Sequence, residues 1–354
     1  MESGYAGLSN AMRGGLAVEC FMIISGFVIF LLIDHRREPF LLFIQRRFLR
    51  IYPIYILLFF VAIPCSLVSQ ANVLHEGNFL DPANYYGAGF SSFVTCIDRL
   101  WANIWLHIPL HLTMLQGLAP IAVLPNSSTA FLGTAWSLSL EWQFYLIAIP
   151  WFAFASSSSL PRQLLVNGLC LFVICFSKRL FPPVEEGAAL FFRLEFFYLG
   201  AMSYFMFNYL ARKADRSTGL FAIAVVCAAI VFKLADKSPA FVPLCIWIVI
   251  LGLLLEPSGS PLRVAVDPIF TNPVTLWLGK ISYSIYLSHP LIMACTKWLC
   301  LWLFPGTSHV VHAVLVIAGT LVGTLALSAI LHRYVEVPFI EMGKRIKSRP
   351  IPSV

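Results

Sequence analysis

The stretch "FIQRRFLRIYPIYILLFF" at residues 43–60 sets Arg46, Arg47 and Arg50 directly before an apolar run. Read alone, it is either a membrane anchor or a holder of something anionic. The run is one of many. Of 354 residues, 59% are hydrophobic and 12% charged, and the mean hydropathy is +0.82. A soluble domain carries about 25% charged residues. Lipid is therefore the solvent for most of this chain. The net charge of +7 then reads as loop charge beside a membrane, not as nucleic-acid binding.

Working outward from 43–60, a spanning helix needs about 20 apolar residues. Runs of that length, or close to it, lie at 17–33, 48–68, 137–155, 163–181, 188–210, 219–234, 240–255, 274–303 and 310–332. The sequence predicts an all-α fold: a polytopic transmembrane helix bundle of nine spans, with residues 1–354 forming one domain. Residues 70–135 make the one long connection. Its middle, "RLWANIWLHIPLHLTMLQGLAP", is expected to be a re-entrant or interfacial helical segment, and Trp101 and Trp105 suit an interface. Counting it as a crossing would move the basic C-terminus outside. With "DHRREPF" in the cytoplasm, the same side takes Arg36, Arg37, Arg46, Arg47, Arg50, Arg212, Lys213, Lys344 and Arg345. The positive-inside rule then makes the C-terminus cytoplasmic. An odd number of spans and a loop-like start, "MESGYAGLSNAMRGG", point to one further span upstream of Met1. The nine cysteines are scattered without a CxxC pair and read as small buried hydrophobes.

Several polar residues in this apolar background are candidates for chemistry. Arg47 and Arg50 are spaced i, i+3 and share a helix face. Guanidinium groups grip phosphates in bidentate fashion, so the pair suits the phosphates of a nucleotide-like donor, and equally a headgroup anchor. Glu141 lies in "TAWSLSLEWQFYL". Ser137 and Ser139 read as helix-start residues there, which would leave the carboxylate in a first turn favoured by the helix dipole. The other reading is an acid/base or sugar-binding carboxylate. His289 precedes Pro290 in "GKISYSIYLSHPLIM". The proline frees a backbone carbonyl one turn back, near Tyr286, and the histidine is either functional or a helix-packing residue. His107 and His111 are spaced i, i+4, but no third ligand accompanies them. The expectation is an interfacial helix face and no metal. Glu19 is expected to face the protein interior, with "SGF" at Ser25–Phe27 allowing close helix approach. Glu336, before Pro338, reads as a helix-end residue.

Taken together, these segments resemble acyltransferase family three, the integral-membrane O-acyltransferases. "VECFMIISGFVIF" resembles that family's SGF signature, "RRFLRIYPIY" its RxxR helix, and "WSLSLEWQFYL" its WSLSxE-FY segment. "LGKISYSIYLSHPLI" and "VEVPF" resemble its late S-YLxH helix and its closing E-x-P. Five motifs in order cover nearly the whole chain. The resemblance implies ten spans and transfer of an acyl group, often acetyl, to a hydroxyl of a carbohydrate or other extracytoplasmic acceptor. It implies acyl-CoA as co-substrate, Arg47 and Arg50 with Arg46 beside them in its binding, and Glu141 and His289 as site residues. The family's first helix, with its Arg and His, should precede "VECFMIISGF" and is not present, so the chain is expected to be N-terminally truncated relative to the family. Two alternatives stay open. One is a transporter or flippase for a glycan intermediate, which should show repeated halves. The other is an inactive truncated membrane protein that binds acyl-CoA.

Overall fold

The computed structural model describes residues 14–76, 98–157, 159–181, 188–212, 223, 226–227, 241–257 and 259–346. Among these residues there are eleven α-helices and no β-strand. In chain order they are α1 (Gly14–Arg36), α2 (Phe40–Glu76), α3 (Ile104–Leu112), α4 (Ala135–Ala155), α5 (Leu160–Leu180) and α6 (Leu190–Arg212). After these come α7 (Phe241–Leu255), α8 (Pro261–Thr271), α9 (Pro273–Leu303), α10 (His309–Leu331) and α11 (Val337–Arg345). The all-α expectation holds.

The expectation of nine spans is not confirmed. Among the described residues, six segments are helical, long and apolar enough to cross a bilayer: 15–36, 40–66, 135–155, 160–180, 190–211 and 310–345. That makes this an integral membrane protein. Of the other three expected spans, α7 is only 15 residues long, and most of 219–234 lies outside the described residues. The third, α9, has the length, but its serines, tyrosines, His289 and Lys297 make it less apolar than the six. The middle segment is a short helix, α3, with Trp105 exposed on it. It is followed by a single 3₁₀ turn at Gln116–Leu118.

The described chain falls into two compact units: Met1–Glu38 with Gln143–Pro182 and Ala189–Phe270, and Pro39–Trp142 with Pro183–Ala188 and Thr271–Val354. The first unit is built on α1 against α6. A Cβ on Gly26 would lie 2.3 Å from the Phe197 carbonyl oxygen, and one on Gly200 would lie 2.0 Å from that of Ile23. The two helices therefore touch backbone to backbone, as the small residues of "SGF" predict. Aromatic rings close the space around this seam. Phe27 meets Tyr204, Phe207 and Trp247 edge-on, and Phe30 meets Trp151 and Phe205 likewise. Glu19 does face inward, where it pairs with Arg193 at 3.0 Å. A charge near lipid is tolerated when it is matched in this way. At the other end of α1, the Tyr204 hydroxyl donates to Asp34.

In the second unit, α9 packs against α10, and α2 packs against α9 and α11. A Cβ on Gly319 would lie 2.5 Å from Thr296 Cγ2, and one on Gly323 would lie 2.9 Å from Ile292 Cγ2. These two glycines form a G-x-x-x-G notch that receives α9. Between α10 and α11 the chain does not break. It widens into one π-turn, His332–Glu336, a form often found at functional sites.

Candidate active site

The five residues implied as site residues by the family resemblance, Arg46, Arg47, Arg50, Glu141 and His289, lie in the second unit, and their environments differ. Arg46 donates from Nε to the Gly343 carbonyl and from Nη2 to that of Ile346, both at 3.1 Å. It satisfies the last carbonyls of α11, as basic side chains do at helix ends. Arg47 is 9% exposed, with its guanidinium 5.4 Å from the Phe43 ring centroid. Arg50 is exposed. The i, i+3 pair is therefore split, with one arginine in the protein and one at its surface. Three residues that look alike in sequence have three different surroundings.

Glu141 corrects an expectation. Helix α4 begins at Ala135 and has no acidic residue in its first turn, so Glu141 lies well past the N-terminus. It is 9% exposed. Stabilisation by the helix dipole falls off within the first turn and does not account for it. The serines differ from expectation as well. Instead of capping the helix they reach across the fold. Ser139 accepts a hydrogen bond from the Gly117 backbone N–H at 3.3 Å. Ser137 Oγ lies 2.8 Å from Tyr286 Oη.

Tyr286 entered the sequence reading only through its backbone carbonyl, and its side chain was passed over. Its hydroxyl donates to the Thr134 carbonyl at 3.1 Å, and its ring is 6.1 Å from that of His289. Glu141 is within its electrostatic reach. Ser137, Glu141, Tyr286 and His289, drawn from two distant parts of the chain, thus form one polar group. The residue could have been noticed by its place one helical turn before His289.

His289 lies where the sequence placed it. Pro290 cannot donate to the carbonyl of Tyr286. His289 Nδ1 takes that place at 2.9 Å, with the Ile285 carbonyl at 3.3 Å. Carbonyls can only accept, so Nδ1 carries the proton and Nε2 holds the lone pair. Among the described residues no hydrogen bond to Nε2 is found. A half-buried imidazole fixed in this tautomer can take a proton from a reacting hydroxyl.

His107 and His111 are not an interfacial face. Both are buried. His111 stacks on Phe59, with centroids 5.1 Å apart, and both rings meet Phe131 edge-on. His111 Nδ1 donates to the His107 carbonyl at 2.8 Å. Among the described residues no group of three or more His, Cys, Asp or Glu could hold a metal ion. Burial lowers the pKa of His107 and pushes that of His111 down to about 4. The neutral rings belong to the folded state, so the unfolded chain binds more protons as pH falls from 6.5 to 4. Stability is full above 6.5, declines across that window and levels off below it. Relative to His111→Phe, the wild type should lose on the order of 3 kcal/mol there. Melting in detergent across this pH range checks it, and parallel curves would refute it.

One constellation adds to the sequence reading. Glu336 ends the π-turn and stands at the N-cap of α11, as a helix-end residue would, but it is also buried and partnered. It is 2% exposed, and its Oε2 lies 2.9 Å from His332 Nδ1 and 3.2 Å from Ser284 Oγ. The i, i+4 pair His332 and Glu336 was visible in the sequence, but Pro338 drew attention to helix termination instead.

No curated protein and no solved structure matches this chain. A family model described as an acyltransferase domain matches residues 2–333. Five motifs in order, an all-helical membrane architecture and a match over nearly the whole length agree, and the chain belongs to acyltransferase family 3.

Proposed function

We propose that this protein moves an acyl group, acetyl in the simplest case, from acyl-CoA to a hydroxyl of a carbohydrate or cell-envelope glycan. Acyl-CoA is a co-substrate, not a resident cofactor. Arg47 and Arg50 hold its phosphates. One buried and one exposed guanidinium a single turn apart suit a ligand that runs from the surface inward. Arg46 supports them from the side by tying α11 to α2.

The acceptor binds by Glu141, whose carboxylate can accept hydrogen bonds from sugar hydroxyls. His289 Nε2 takes the hydroxyl proton as the oxygen attacks the thioester carbonyl. A C–O bond forms, the C–S bond breaks, and CoA leaves as its thiolate. The Tyr286 hydroxyl holds this group in register through Ser137 and Thr134. The protein is read as multi-pass in the inner (cytoplasmic) membrane with its C-terminus in the cytoplasm, supported by the positive charge beside α2 and at the end of α11.

The observation that carries this reading is the polar group of Ser137, Glu141, Tyr286 and His289, in the same compact unit as the arginine helix. Vesicles from cells with and without the chain, given radiolabelled acetyl-CoA, test it. Base-labile acetyl label should appear in membrane glycan only where the chain is present. Equal labelling in both overturns it. If removing the chain stops glycan export rather than esterification, the chain is a transporter.

A further inference from the structure

The proposed chemistry provides a base for the attacking hydroxyl but leaves the departing thiolate without a proton source. We propose that His332, held by Glu336, is the general acid that protonates the sulfur of CoA as the C–S bond breaks. This rests on the reading of Arg47 and Arg50 as the seat of acyl-CoA.

The geometry is that of a carboxylate–imidazole pair. Glu336 Oε2 lies 2.9 Å from His332 Nδ1, which fixes the ring's orientation and leaves Nε2 to act. The carboxylate is itself held, by Ser284 Oγ at 3.2 Å. It is buried, while the His332 side chain is 21% exposed. A buried carboxylate orienting a more accessible ring is an arrangement for moving a proton outward from Nε2. His289 differs, since its Nδ1 meets only backbone carbonyls.

The pair is also anchored to the helix that carries the arginines. The neighbour of Ser284, Tyr283, donates from its hydroxyl to the Ile51 carbonyl at 2.6 Å, and Ile51 directly follows Arg50. Further on, the helix that leaves the π-turn at Glu336 is tied to Arg46 through Gly343 and Ile346. Helix α2 packs on the π-turn itself. The pair is thus fixed to the proposed donor end from both sides. The π-turn sets His332 and Glu336 together without breaking the helix.

The step balances. As the tetrahedral adduct collapses, the C–S electron pair goes to sulfur, and the proton on His332 Nε2 follows it to give the free CoA thiol. The hydroxyl proton has gone to His289 Nε2. One proton returned from His289 to His332 through solvent restores both rings.

A general acid matters most when the leaving group is poor. Thiol release in vesicles should therefore be measured with acetyl-CoA and with S-phenyl thioacetate, whose thiolate departs unaided, subtracting vesicles that lack the chain. His332→Gln should lose about 100-fold with acetyl-CoA and less than about 3-fold with S-phenyl thioacetate. Glu336→Gln, which keeps a polar partner for the ring, should show a smaller loss with the same donor dependence. That variant decides the matter should His332→Gln fail to fold. Equal losses with both donors mean a structural role and overturn the inference, as does full activity with both. A wild type that releases no CoA from acetyl-CoA overturns the donor reading, and this inference with it. A wild type that does release CoA supports that reading whatever the variants do.

Discussion

Arg47→Ala lowers acyl transfer from acetyl-CoA by at least about 100-fold while the chain still inserts in the membrane. A charge-assisted hydrogen bond is worth about 1.5–3 kcal/mol, and a guanidinium can make two to one phosphate. Losing both exceeds the ~2.7 kcal/mol that a 100-fold change requires. Arg47→Lys recovers little, because a point charge on a flexible stem does not reproduce the planar fork. Arg46→Ala is the informative contrast. It removes two hydrogen bonds to the end of α11, so it should lower the melting temperature in detergent and change the KM for acetyl-CoA only a few-fold. Titrating initial rates against acetyl-CoA for the three variants, beside their melting curves, separates these roles. Wild-type rates in Arg47→Ala refute the donor seat. A KM effect in Arg46→Ala as large as that in Arg47→Ala refutes the division between them.

Gly200→Val leaves no folded protein. The added Cβ would sit 2.0 Å from the Ile23 carbonyl oxygen and 2.9 Å from the Phe27 backbone nitrogen. Both obstacles are backbone and cannot rotate away, so α1 and α6 must part. The seam is lined by buried Ile23, Phe27 and Phe197, and overpacking a tight core costs about 1–3 kcal/mol even where it can adjust. Here it cannot adjust, and the cost exceeds that range. Gly168→Ala is the control. It also lies within a helix, but nothing is within 4 Å of its added Cβ, and alanine has the better helix propensity. Monodisperse yield on size exclusion should collapse for Gly200→Val and stay level for Gly168→Ala. Normal yield from Gly200→Val would refute the backbone contact.

How much of this could be read in advance depended on whether the cause was local. The spanning helices were legible because a run of apolar residues states its own solvent. Helix α9 is less legible as a span because a mixed run of serines, tyrosines and leucines is long without being uniformly apolar. The arginines show the limit most clearly. Spacing put Arg47 and Arg50 on one face, but what distinguishes Arg46 is a partner 297 residues away. The depth of Glu141 depends on where α4 starts, and Ala135 accepts a hydrogen bond from Gln116 at 3.1 Å. No local pattern announces that contact. His289 was legible because its reason lies in the next residue. Glu336, two residues before Pro338, was legible as the end of one helical segment but not as the buried partner of Ser284, 52 residues away in sequence.

The link between Pro290 and His289 also couples two properties usually treated apart. The Tyr286 carbonyl that the proline leaves open is held by Nδ1–H of the ring whose other nitrogen is the proposed base. A protonated imidazole is a stronger hydrogen-bond donor than a neutral one, so a proton captured at Nε2 tightens the grip on that carbonyl. The turn of a helix and the tautomer of a side chain thus rest on one hydrogen bond, and replacing Pro290 with a residue that donates to this carbonyl would also release the ring.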